Sequence, residues 1–172
     1  EVAGNANRSA NMDASRLIFQ TRKNVANFFQ IPDFHRVILN SGNTESLNTC
    51  IKGILKEKDH VITTYAEHNS VLRPLYELEK KGFISLTICS PYLEDIKNQF
   101  QLNTRMVVMT HSSNVTGEIF DVQEIGHYCK EHGVLLMVDA AQSAGHIPVS
   151  IENIDILCFS GHKGLLGIGG IG

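Results

Sequence analysis

The run Ile156 to Lys163 reads ILCFSGHK, an apolar stretch that opens into a Ser-Gly-His-Lys turn. Apolar residues without alternation are what a parallel strand covered on both faces requires, so Asp155 to Phe159 is expected as a buried strand. Lys163 then sits just past the strand's carboxyl end, the edge where open α/β sheets hold their ligands. Gly161 and Gly164 beside it allow tight turns and close backbone approach. A lone loop lysine is usually just solvated, so its company decides. Ser160 and His162 flank it. Asp139 ends a second apolar run, LLMVD, where a carboxylate loses solvation and needs a partner. A cationic ring nitrogen or a metal would supply one. Ser41-Gly42-Asn43-Thr44 opens a helix, and such a start points free N–H groups at a phosphate. His68, Asn114 and Gln142 follow other apolar runs. Each has a plainer reading: Ser41, Asn43 or Asp139 as a cap, His68 as a surface histidine, Asn114 as part of a turn.

These residues need elements to carry them. Apolar spacing predicts a helix over Asp13 to Phe29, stopped by Pro32. A short strand is expected at Val37 to Leu39, then a helix from Ser41 to Leu55. Strands follow at Asp59 to Thr64, Phe83 to Cys89, Arg105 to Thr110, Val134 to Val138 and Asp155 to Phe159. Helices separate them at Val71 to Lys81, Leu93 to Phe100 and Val122 to His132. Strands alternating with helices imply a mostly parallel sheet covered on both faces, a three-layer αβα domain. Right-handed crossovers then place every post-strand loop on one edge. Five of the six loops there carry polar groups that could converge on one ligand.

Composition narrows the classes. At 172 residues with a net charge of −3, the chain suits one α/β domain and shows no basic stripe for nucleic acid. No apolar run approaches the ~20 residues of a membrane span, and the polar start lacks the h-region of a signal peptide. Cys50, Cys89, Cys129 and Cys158 are scattered with no CxxC pair, so buried thiols in a reducing compartment, the cytoplasm, are expected rather than a metal site. Gly167, Gly169 and Gly172 spell G-x-G-x-x-G, but no helix is expected after them, so a dinucleotide site is discounted. LLMVD lacks an accompanying P-loop.

VDAAQSAGHIPV, followed by a strand and FSGHK, resembles the cofactor core of class V aminotransferase-fold enzymes. It is most similar to the cysteine desulfurases and selenocysteine lyases, which use pyridoxal phosphate (PLP). SGNTES, TTYAEHNSVLRP and THSSNVTGEIFDVQEI match in order and rough spacing, so the resemblance covers Gly4 to Gly172. It implies the large domain of the PLP-dependent transferase fold type I over residues 12–172, after an amino-terminal arm at 1–11. It implies Lys163 as the residue joined to PLP, Asp139 on the pyridine nitrogen and His68 stacked on the ring. Gln142 would bond the phenolic oxygen, and Asn114 that oxygen or the substrate carboxylate. Thr44, Ser160 and His162, with the N–H groups of Gly42 and Asn43, would hold the phosphate. An amine must be neutral to attack a carbonyl, and a carboxylate keeps a ring nitrogen protonated, which makes the ring an electron sink.

The resemblance implies removal of sulfur or selenium from cysteine or selenocysteine, leaving alanine, in a homodimer with a possible sulfur-acceptor protein. Transamination, epimerisation or another cleavage on the same core remains open, as does a non-catalytic PLP-binding scaffold. Three features depart from the family. Its nucleophilic cysteine, its substrate-carboxylate arginine and its small domain would all fall after Gly172. The run after the lysine lacks the usual proline. The arm reads NANRSAN, where many relatives have a histidine near Asn11.

Overall fold

A computed structural model describes the backbone from Ser9 and side chains from Met12 to Gly172. Residues 1–8 of the expected arm lie outside the described residues. The chain divides at Leu39 into an amino-terminal unit and a larger unit from Asn40.

In the amino-terminal unit, helix α1 spans Ser9–Phe28, starting earlier than the expected Asp13. A 3-10 turn follows at Phe34–Arg36, capped by Asp33, whose side chain accepts from the His35 N–H. Phe19 and Phe34 meet edge to face at 5.0 Å, and the Lys23 ammonium lies 4.5 Å from the Phe19 ring. The expected strand at Val37 to Leu39 does not form. Aliphatic propensity needs a ladder to act on, and no described strand pairs with this segment. Ile38 is 62% exposed, which a buried parallel strand would not permit.

The larger unit holds α2 (Asn43–Ile54), β1 (Asp59–Thr64), α3 (Asn69–Lys80), β2 (Ile84–Cys89) and α4 (Leu93–Lys97). It continues with β3 (Thr104–Thr110), α5 (Val122–Glu131), β4 (Leu135–Asp139) and β5 (Ile156–Cys158). The five strands are all parallel, in the order β2-β1-β3-β4-β5. β1, β2 and β3 are each followed by a helix, and because all five strands run parallel their carboxyl ends lie on one edge. The register shows it: Thr110 lies opposite Asp139, and Asp139 opposite Cys158.

One face of the sheet presents Val61, Met106, Val108 and Met137 to Leu47 and Ile51 of α2 and Val71 and Leu75 of α3, in one buried cluster. The residues of opposite parity, Ile62, Val107, Met109, Leu136 and Val138, are also fully buried, with α5 beside β4 and α4 beside α5. Burial on both faces explains why the strands read as unbroken apolar runs. His60 at the start of β1 is fully buried too, its ring nitrogens bonded to the Thr104 and Thr87 hydroxyls at 2.9 Å. Among the described residues, no helix is long and apolar enough to cross a membrane.

Candidate active site

At the carboxyl edge lies a cleft of about 330 Å³. All ten site residues expected from the sequence line it: Gly42, Asn43, Thr44, His68, Asn114, Asp139, Gln142, Ser160, His162 and Lys163. They come from five separate loops; four lie at the carboxyl ends of parallel strands, and the fifth leads into α2.

The start of α2 forms one wall. Gly42 is the N-cap, with φ at 153°, a conformation that favours glycine. Gly172 lies against it: a Cβ there would come within 2.4 Å of the Gly42 carbonyl carbon. Asn40 and Gly172 exchange backbone hydrogen bonds in both directions. Glu45 reaches back to accept the Ser41 N–H at 2.6 Å, fixing the entry into the helix. The N–H groups of Asn43, Thr44 and Glu45 have no carbonyl inside the helix to bond, and they sit at the positive end of its dipole. This wall suits an anion.

His68 caps α3, which begins two residues earlier than the expected Val71. Its Nδ1 accepts the Ser70 N–H at 3.1 Å and lies 2.7 Å from the Ser70 hydroxyl. A neutral ring held this way carries its proton on Nε2. The ring is therefore pinned at the cleft by its own helix start. Ser70 also lines the cleft, a supporting residue that nothing in the sequence singled out.

Asp139 is 3% exposed at the end of β4. Its Oδ1 accepts from the Asn43 side chain at 2.8 Å and from the Ala141 N–H at 2.9 Å. Burial raises its pKa, and the bonds from Ala141 and Asn43, with the charges of Lys163 and His68, work against that rise. Lys163 is half-buried and forms no ion pair among the described residues. Its loop is locked to the turn after β4, where Gln142 sits: a Cβ on Gly164 would lie 2.2 Å from the Ala144 carbonyl oxygen. Asn114 is exposed on a turn closed by the Ser113 hydroxyl, which accepts the Val115 and Thr116 N–H groups at 3.2 Å.

Beneath the cleft, Glu67 is 8% exposed. Its Oε1 accepts from the Thr64 hydroxyl at 2.6 Å and the Thr110 N–H at 2.8 Å, while Oε2 is buried without a partner. Burial pushes its pKa up to about 8, with a contribution from nearby Asp139. Its sequence context, AEHN, reads as loop, and only the fold reveals the burial.

A parallel α/β domain with an anion-suited helix start, a free amine and a buried carboxylate around one cleft defines a cofactor-binding fold of the transferase type. The aminotransferase class-V family matches residues 1–172, and the chain belongs to it. It is 35% identical over 189 residues to Cysteine desulfurase IscS of Plasmodium falciparum, covering 99% of this chain and 34% of that one. The apo cysteine desulfurase of Thermococcus onnurineus NA1 superposes with a TM-score of 0.86 at 32% identity, covering 96% of this chain and 44% of that one. SspA, solved in complex with cysteine, gives a TM-score of 0.88 at 29% identity, covering 96% of this chain and 50% of that one. The chain thus spans half or less of the length of these relatives.

Proposed function

We propose that the full-length protein is a PLP-dependent, cysteine desulfurase-like enzyme that removes sulfur from cysteine, or selenium from selenocysteine, and leaves alanine. One observation carries the reading: Lys163 and Asp139 line the same cleft, together with the anion-suited start of α2. The residues fit the cofactor. Asp139 has both its donors on Oδ1, so Oδ2 remains for a protonated ring nitrogen. The free N–H groups of Gly42 and Asn43, with Thr44, Ser160 and His162, suit a phosphate. His68 offers a flat, oriented ring face. Gln142 and Asn114 can donate to a phenolic oxygen, and Asn114 also to a substrate carboxylate.

When bound, PLP supplies an electron sink for the charge left at the substrate Cα. Lys163 provides the amine that holds the cofactor's aldehyde carbon and is placed to carry the Cα proton. Asp139 keeps the ring nitrogen protonated. The same reading makes the protein a cytoplasmic homodimer that passes sulfur to an acceptor protein. The four cysteines, all free, support a reducing compartment.

Supplied with PLP and a thiol reductant, the full-length protein is expected to absorb in the visible and to yield alanine from cysteine, with the sulfur released as sulfide when the reductant reduces the persulfide. Lys163→Ala should lose the band and reduce turnover on the order of a thousandfold. A full-length protein that stays colourless in excess PLP would overturn the reading.

A further inference from the structure

Asn43 is the first residue of α2 and is 9% exposed. Its backbone N–H belongs to the anion-suited wall, but its side chain points elsewhere. Nδ2 donates 2.8 Å to Oδ1 of Asp139, across 96 positions of sequence. The Ala141 N–H donates to the same oxygen at 2.9 Å. Among the described residues, nothing donates to Oδ2. The other titratable groups around Asp139 are Lys163, His68, Glu67 and Cys158, and none of them hydrogen-bonds to it.

A carboxylate held by one donor can turn about its Cβ–Cγ bond. Two donors on one oxygen, one from α2 and one from the turn after β4, fix its plane. The amide achieves this at a cost, because Asn43 Oδ1 is buried without a partner. An unpaired buried carbonyl is unfavourable, and an alanine at this position would avoid it. The donor is what the side chain contributes.

We propose that Asn43 is a positioning residue: its side-chain amide fixes the Asp139 carboxylate so that Oδ2 alone faces a protonated ring nitrogen in the cleft. The identity of that ring rests on the PLP reading, whereas the positioning rests on the Asn43–Asp139 bond.

The test uses the full-length protein in two assays. In equilibrium dialysis with PLP, Asn43→Ala and the bulkier, donor-free Asn43→Leu should each raise the Kd about tenfold, as expected for one charge-assisted hydrogen bond. A residue that merely fills space would let Leu bind close to wild type. In the ligand-free protein, Asn43→Ala should lower the urea midpoint when Asp139 is present and should not lower it in an Asp139→Ala background, where the whole amide is left unpaired. Equal urea shifts in the two backgrounds would overturn the proposal, as would a Kd within about twofold of wild type for both Asn43 variants. If wild type binds no PLP at all, the functional reading falls, and the urea comparison still decides the role of Asn43.

Discussion

Glu67 sits one residue before His68 and carries a carboxyl that burial pushes up to about 8. Its folded pKa lies above the unfolded value near 4.5, so its contribution to stability is complete below about 4.5 and is lost as pH rises through about 8. Gln at this position keeps an acceptor for Thr64 and Thr110 and cannot ionise. Glu67→Gln is therefore expected to match wild type in urea denaturation near pH 4.5 and to exceed it by on the order of a few kcal/mol near pH 9. Equal pH profiles for the two proteins would show that Glu67 is ionised in the fold. Nothing in AEHN signals this behaviour, because burial depends on where β1 and β3 end relative to each other. Lys163, Asp139 and His68 were legible, since each follows an apolar run whose edge is fixed by the parallel topology.

At the scale of elements, the loop carrying Lys163 and the turn carrying Gln142 behave as one piece. Gly145 and Gly164 meet backbone to backbone, with the would-be Gly164 Cβ 2.2 Å from the Ala144 carbonyl oxygen and 3.0 Å from the Gly145 carbonyl carbon. A methyl group there cannot be absorbed by turning a flexible side chain. Gly164→Ala should separate the two loops and weaken PLP binding by about tenfold or more, with a loss of stability of about 1–3 kcal/mol. PLP titration and thermal unfolding measure the two effects, and an unchanged PLP affinity would refute the coupling. The sequence marked Gly164 as a place of close approach, although the partner backbone at Gly145 emerged only in the fold. The missing strand at Val37 to Leu39 makes the reverse point: its residues have strand propensity, but among the described residues no strand pairs with them.

For the molecule as a whole, the thiols lie away from the chemistry. Cys89 and Cys158 lie in strands, Cys50 and Cys129 in helices, and none lines the cleft. Burial raises the thiol pKa of Cys89 to about 11 and that of Cys129 to about 12, so neither is a ready thiolate. The 172 residues by themselves are expected to release no sulfide from cysteine even with PLP bound; sulfide above the level of free PLP would contradict this.

The sequence by itself determined the order of strands and helices, the edge that bears the functional loops and most of the residues on it. Hydrophobic runs, glycines and polar strand ends are local signals, and a parallel topology turns them into positions. Tertiary structure alone decided that Asn43 reaches Asp139, that Glu67 is sealed beneath the cleft and that 37–39 forms no strand. Those outcomes depend on distances between segments far apart in the chain, which local patterns do not encode.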